Sequence, residues 1–389
     1  MKYSDLIQFA TPRQIEYIEA VEKYGSKDKA AKALNVNYRT LTRSLESLNI
    51  KAAQQGHSPS HDMTHTVPDG FKVRGVSTYY DQEGKPRGQW VKSSADDVRR
   101  HAAMQEAYAA MADDLPRLSA VAKPRGTSAD LATVYTLTDS HVGALCWGAE
   151  TMSGDWDLSI AEATLTGCFA RMVESSPDAK TGIVAQLGDF LHSDGSSALS
   201  PVTPTSGHVL DQDGRFSKVV GVAVRILRRV IDMALKKHER AIVLLAEGNH
   251  DISSSVWLRT MFAALYEREP RVTIIDQALP YYAVQHGKTM LCWHHGHLHK
   301  NDKLPILFAS QFPQMWGTTA KRYAHTGHRH HVEEKEHSGM TVIQHSTLAA
   351  RDAYAARGGW MSERQATAIT YHAQYGEVGR VVVTPEMCR

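Results

Sequence analysis

The sequence predicts an α/β layered fold behind a small helical module. Two observations carry this. From Leu131 onward, short apolar runs alternate with segments of helical spacing, the pattern of strands and helices in layers. Before residue 52 the chain is helical throughout, with capping residues and turns but no strand pattern.

Taken in order, Thr11-Pro12 reads as an N-cap and first-turn pair, and Ile15, Ile18 and Val21 carry helical spacing to Gly25. Ser26 caps a short helix with Ala30, Ala31 and Leu34. A turn at Asn35-Val36-Asn37 leads to a third helix with Leu41, Leu45 and Leu48 on one side. Small alanines, a tight turn and a helix displaying Tyr38, Arg39, Thr42 and Arg43 read as a helix-turn-helix. Residues 1–51 hold nine Lys/Arg against six Asp/Glu, a modest basic excess. DNA is the expected partner, with Tyr38, Arg39 and Arg43 as candidate contacts. The competing reading is a docking or oligomerisation module.

Residues 52–128 read as a connector. It holds a hairpin from Val73 to Val91, with Val76, Thr78 and Tyr80 facing Gln89, Trp90 and Val91 across Glu83-Gly84. Trp90, Lys85 and Arg87 either form a wing on nucleic acid or, for Trp90, pack the hairpin down. A helix is expected over 94–118, then a Pro-Arg-Gly-Thr-Ser linker at 124–128. Within 129–389, strands are expected at 134–138, 183–187, 242–246, 272–275, 289–293, 340–344 and 381–383. Helices are expected at 159–175, 215–238 and 255–267.

Bulk properties exclude some classes. Lys and Arg total 44 against 42 Asp and Glu, which does not suit a globally basic coat protein. No apolar run of about 18 residues and no signal-peptide pattern occur, so a cytoplasmic protein without membrane association is expected. The four cysteines are scattered with no CxxC pair, fitting reduced thiols. Histidine is the anomaly: ten of 21 fall between His294 and His345. Such clustering suits ligation and its support better than a solvated face.

Five motifs carry chemistry: Asp139-Ser140-His141, Gly188-Asp189-Phe190-Leu191-His192, Gly248-Asn249-His250-Asp251, His294-His295-Gly296 and Gly327-His328-Arg329-His330. Most follow a strand-like run, so five loops can bring carboxylates, imidazoles and an amide to one sheet edge. That donor set suits two divalent cations used in phosphoester hydrolysis.

In this order, the motifs over residues 131–331 resemble those of the calcineurin-like metallophosphoesterases (D-x-H, G-D, G-N-H-[DE], H, G-H-x-H). The resemblance implies a four-layer α/β/β/α sandwich. It implies that Asp139, His141 and His330 hold one metal, that Asn249, His295 and His328 hold the second, and that Asp189 bridges them. His250 would be the catalytic histidine. His295 directly precedes the glycine and is favoured over His294 for that reason. Manganese is the first choice of ion, with iron, zinc or magnesium as alternatives.

Departures narrow the branch. His192 stands where the phospho-Ser/Thr phosphatases carry an acid, followed by Ser193-Asp194-Gly195, and the third motif ends in Asp251. Gly188-Asp189-x-x-His192 with Gly248-Asn249-His250-Asp251 is similar to the SbcD-type DNA repair nucleases, which adds His192 to His250 as a catalytic candidate. A fainter similarity is to helix-turn-helix metallophosphoesterases of bacteriophages and prophages. The expected activity is therefore a DNA nuclease, in a protein that is a candidate homo-oligomer. A small-substrate phosphatase or cyclic nucleotide phosphodiesterase, and a DNA-binding regulator with a non-catalytic metal domain, are the alternatives. Lys300, Lys303, Lys321, Arg322 and Arg329 flank the histidines, either as phosphate contacts or as a solvated rim. His297, His299, His325 and His331 read as surface or supporting groups.

Overall fold

The structure, a computed structural model, describes residues 3–55, 57, 71–80, 86–95, 121–195, 201–204 and 206–388. It divides into two compact units between residues 114 and 115.

In the first unit, a 3-10 turn over Tyr3–Phe9 precedes α1 (Pro12–Tyr24), α2 (Lys27–Ala33) and α3 (Tyr38–Gln54). Local chemistry sets each boundary. The Thr11 hydroxyl accepts from the Gln14 N–H, and the Gln14 side chain accepts from the Thr11 N–H at 3.0 Å, a reciprocal cap. Gly25 ends α1 at φ 73°, where a side chain would be strained. Ser26 and Asn37 cap α2 and α3. Ile18, Ala30, Leu41, Leu45 and Leu48 are fully buried together, each leucine contributing about 1.5–3 kcal/mol. Ala30 and Ala31 let α2 lie close to its neighbours. Tyr38, Arg39 and Arg43 remain exposed on α3.

β1 (Phe71–Tyr80) and β2 (Pro86–Ala95) pair antiparallel. Val76 faces Val91 and Thr78 faces Gln89, as expected, but Trp90 faces Ser77. Trp90 is 70% exposed, which goes against its packing role. Strand β2 runs through Ser94 and Ala95, where the helix was expected to begin. The rest of that helix, Lys85 and the Glu83-Gly84 turn lie outside the described residues.

The second unit is the expected α/β/β/α sandwich. One sheet has six strands, β3 (Ser128–Leu137), β4 (Ala179–Gln186), β5 (Arg240–Leu245), β6 (Val272–Ile274), β12 (Ala366–His372) and β13 (Gly376–Val383), in the order β13-β12-β3-β4-β5-β6. Its β3, β4, β5 and β6 run parallel. The other has five, β7 (Tyr282–His286), β8 (Thr289–Trp293), β9 (Lys321–Thr326), β10 (Glu333–His337) and β11 (Met340–Gln344), ordered β10-β11-β9-β8-β7. β8, β9 and β11 are parallel. Strands β7, β9, β10 and β12 have no counterpart in the sequence expectations.

The sheets meet face to face over Val134, Ile183, Leu244, Leu291, Trp293, Ile343 and Tyr371. On the outer face of the larger sheet lie α5 (Leu158–Ser175) and α6 (Phe216–Lys237), and α7 (Ile252–Leu265) packs on β5 and β6. α4 is a single turn, Gly148–Thr151. Outside the smaller sheet, α8 (Leu304–Gln311) buries Leu304 and Phe308 against Met290, Cys292 and Ala324, followed by α9 (Pro313–Thr318). Central strands covered on both faces explain their near-continuous apolar runs. No described helix is long and apolar enough to cross a membrane.

Candidate metal centre

Five loops leave the C-terminal ends of β3, β4, β5, β8 and β9, and they meet. Register is the cause: Leu137 lies beside Gln186, and Gln186 beside Leu245, so the residues that follow emerge at one edge. Backbone bonds carry that alignment into the loops, with Asp139 N–H on the Gly188 carbonyl and Gly327 N–H on the His295 carbonyl. Crevices at such strand ends are where open α/β sheets place their chemistry.

The backbone is strained there. Of seven described non-glycine residues with positive φ, five are Asp139 (49°), His141 (43°), Asp189 (48°), His328 (70°) and His330 (57°). Each such placement costs about 1–3 kcal/mol, and it persists only where the surroundings impose it. Gly248 and Gly327 allow the close approach. A Cβ on Gly248 would lie 1.9 Å from Asp189 Oδ1, and one on Gly327 would lie 2.0 Å from Thr138 Oγ1.

The side chains form two adjoining triads. Asp139, His141 and His330 bring donor atoms within 4.8 Å of one another, and so do Asp189, His295 and His328. His330 Nε2 is 3.2 Å from Asp139 Oδ1, and His295 Nε2 is 3.2 Å from Asp189 Oδ2. His295 Nε2 also lies 3.9 Å from Asp139 Oδ1, joining the triads. His295 Nδ1–H donates to the Leu187 carbonyl at 2.8 Å, which leaves Nε2 as the outward nitrogen. His294 points away, with Nδ1 on the Pro280 carbonyl at 3.0 Å. Of the two, the cluster contains His295.

Electrostatics fit a cation site. Burial alone would raise the Asp139 carboxyl, but His330 and His295 outweigh it and hold it well below its ordinary value. Asp189, also buried, is held low chiefly by His295. Conversely, burial disfavours charge on His295, yet Asp189 and Asp139 push it up to about 10. Two buried carboxylates this close demand positive charge beside them, from protons or from metal. Asn249 Oδ1 is buried without a hydrogen-bond partner among the described residues. An amide oxygen left unpaired beside a carboxylate pair is what a divalent ion takes up.

Beside the first triad stands a third group, His141, His192 and His250. The His250 N–H donates to Asp189 Oδ1 and its Nδ1–H to the His192 carbonyl, both at 2.8 Å, leaving Nε2 available. His192 is 3% exposed, with Nδ1 3.2 Å from His141 Nδ1. Burial, then His250, pushes His192 down to about 3, so it is neutral. Its ring also lies 5.6 Å from that of His250, centroid to centroid.

Two acids hold the loops. Asp251 accepts from the N–H groups of Gly248 (2.9 Å), Phe190 (2.8 Å) and Leu191 (3.2 Å), tying the second motif to the third. Asp194 accepts from Ser253 N–H, Ser254 N–H and the Ser254 hydroxyl, at 2.6–2.8 Å, and so caps α7. Supports absent from the sequence expectations are Thr138, whose hydroxyl donates to Asp139 Oδ2 at 2.6 Å, and Thr347, whose hydroxyl donates to the Asp139 carbonyl. Their signal is long-range for Thr347, and a lone hydroxyl has no pattern to find.

The flanking cations divide. Arg322 is committed to structure, donating to the Trp316, Thr319 and Gly339 carbonyls and stacking 4.3 Å from the Trp316 ring. Arg329 is exposed between His328 and His330. Of the two readings for His325, surface or supporting group, the surface one fails: it is fully buried against His345 and Tyr371, because β9 is a central strand. His331 is exposed, and His299 bonds Tyr281. Tyr38, Arg39 and Arg43 belong to the other unit.

No family description and no characterised protein sequence matches the chain. Solved structures do. A phosphoesterase from E. coli, Yfce, is 15% identical, with 64% of this chain and 98% of that one covered at a TM-score of 0.32. An archaeal phosphodiesterase is 12% identical over 64% and 99%, at 0.34. Vps29 from Entamoeba histolytica, complexed with zinc, is 13% identical over 65% and 99%, at 0.27. Likeness at these values carries no argument about activity, so function has to be argued from the side chains.

Proposed function

We propose that the chain is a metal-dependent phosphodiesterase of the calcineurin-like metallophosphoesterase type, and that it acts on DNA. The observation that carries this is the pair of adjoining triads around Asp139 and Asp189 with His250 at their edge. Asp139, His141 and His330 would hold one divalent ion, Asn249, His295 and His328 the second, and Asp189 both. When bound, the pair supplies Lewis acidity toward water and phosphate oxygens. The motif subtype and the exposed basic residues on α3 support DNA over a small ester.

This chain's own groups do the rest. Asp139 and Asp189 are held ionised, so they are ready as ligands without losing a proton first. His250 keeps its Nδ1–H on the His192 carbonyl, which aims Nε2 outward; protonated there, it gives its proton to the departing oxygen. His192 acts through its neighbours and is better placed as a positioning residue than as a catalytic one. Its Nδ1 lies 3.2 Å from His141 Nδ1, a contact that holds the His141 ring with Nε2 turned toward His330.

The test is hydrolysis with added manganese by wild type and His250→Ala. Linear duplex, circular single-stranded DNA and bis-p-nitrophenyl phosphate are run in parallel. DNA cleavage by wild type, lost in the variant, supports a nuclease, and circle cutting an endonuclease. Turnover of the small diester alone would move the reading to a small-substrate phosphodiesterase, and silence on all three to a regulator.

A further inference from the structure

Beside the centre lies an exposed ladder of three rings that the hydrolytic reading does not use. His208 comes from the loop after the second motif, and Tyr354 and Trp360 from the segment between β11 and β12. Ring centroids of His208 and Tyr354 are 4.8 Å apart at 60°, and those of Tyr354 and Trp360 are 5.3 Å apart at 58°. Tyr354 and Trp360 are each 57% exposed.

The ladder is built and held. α10 (Ala353–Arg357) carries Tyr354 and is capped by Asp352, whose Oδ1 accepts from Ala355 N–H at 2.8 Å. Gly359, at φ 73°, turns the chain back so that Trp360 N–H reaches the Ala355 carbonyl at 3.1 Å. The Arg351 guanidinium ties the segment down, donating to the carbonyls of Thr151 and of Trp360. Aromatic surface fixed this way is a binding surface more often than a leftover of the core.

It also adjoins the triads. The same segment begins with Ser346, whose hydroxyl donates to the His330 carbonyl at 3.0 Å, and Thr347 on the Asp139 carbonyl. Asp352 is near enough to act on His330, and His208 on His192. Arg351 bonds the Trp360 carbonyl within the ladder's own segment, and Arg329 stands exposed between His328 and His330.

We propose that His208, Tyr354 and Trp360 form a stacking subsite for unpaired nucleobases of the DNA strand whose phosphodiester lies at the triads. The fit is chemical: every base has a π-face, its backbone is anionic, and the ladder pairs exposed rings with nearby arginines. This rests on the nuclease reading above.

The test compares wild type, Tyr354→Ala, Trp360→Ala and the ring-keeping Tyr354→Phe on a single-stranded oligonucleotide. Manganese affinity serves as the check of folding. Each alanine variant should lose about 5- to 100-fold in kcat/KM, mostly through KM, as expected for one stacked base, with Tyr354→Phe close to wild type. On the same oligonucleotide carrying abasic sites, wild type should lose a similar factor and the difference between it and the variants should vanish. Wild-type cleavage that ignores both the abasic sites and the alanines would overturn the subsite alone. Should wild type hydrolyse bis-p-nitrophenyl phosphate but no oligonucleotide, the nuclease reading falls and the subsite with it.

Discussion

Replacing Asp251 by alanine should cost both stability and activity, although this carboxylate is in neither triad. It satisfies three backbone N–H groups, those of Gly248, Phe190 and Leu191. Left without an acceptor, a buried donor costs about 1–3 kcal/mol, so the gross loss is about 3–9 kcal/mol. An opposing effect reduces it: burial, then the Asp189 charge, pushes the Asp251 carboxyl up to about 7. Keeping it ionised in the fold therefore costs on the order of 4 kcal/mol, which the variant recovers. The difference runs from about −1 to 5 kcal/mol and centres on a net loss of about 2 kcal/mol, or roughly 5 °C in Tm for a unit of this size. Asp251→Asn keeps an oxygen for Phe190 and Leu191 but faces Gly248 N–H with a donor, and should lose less. Asp189 and Asn249 sit on the loops that Asp251 joins, so a shift of about 1 Å there should cost about 100-fold in turnover. Thermal melting and manganese-dependent hydrolysis would be measured together. An alanine variant that melts within about 2 °C of wild type and keeps full activity would refute the clamp.

Asn249→Ala should weaken metal binding and abolish hydrolysis, because the buried Oδ1 has no other use; calorimetric manganese titration reads this directly. His250→Ala should bind manganese as wild type does and lose about 10²–10⁴ in kcat, followed by steady-state kinetics. His238 is buried, with Nδ1–H on the Ala179 carbonyl and the Tyr135 hydroxyl on Nε2, and burial pushes it down to about 4. Its contribution to stability is therefore complete above the unfolded value of about 6.5. It fades as pH falls toward 4, at about 1.4 kcal/mol per unit. Urea unfolding from pH 7 to 5 should show that slope and lose it in His238→Gln. Arg39→Ala and Arg43→Ala should each lower the salt dependence of DNA affinity by about one in log-log slope; unchanged slopes would remove α3 from the interface.

How far the chain could be read depends on how local the signal is. Thr11, Ser26 and Asn37 cap helices through bonds that span two or three residues, and their helices begin at the next residue. The central strands β3, β4, β5 and β8 are apolar runs covered on both faces, so composition reveals them. β10 is the opposite case. Its Glu333–Lys335 are exposed at a sheet edge, and Glu-Glu-Lys-Glu-His has no strand signature. Strands β7, β9 and β12 carry mixed residues whose strand state depends on neighbours far along the chain. For the same reason the burial of His325 was invisible.

The order and spacing of the motifs determined which residue types would stand at strand ends: carboxylates, imidazoles and an amide, some behind glycines that permit close approach. Only tertiary structure decided which of them meet. Register across β3, β4 and β5 brings Asp139 and Asp189 to one edge, the second sheet supplies His295 and not His294, and Asp251 draws two loops together over 60 or more residues. Those choices arise from hydrogen-bond pairing and packing between segments distant in sequence, and no window of local residues encodes them.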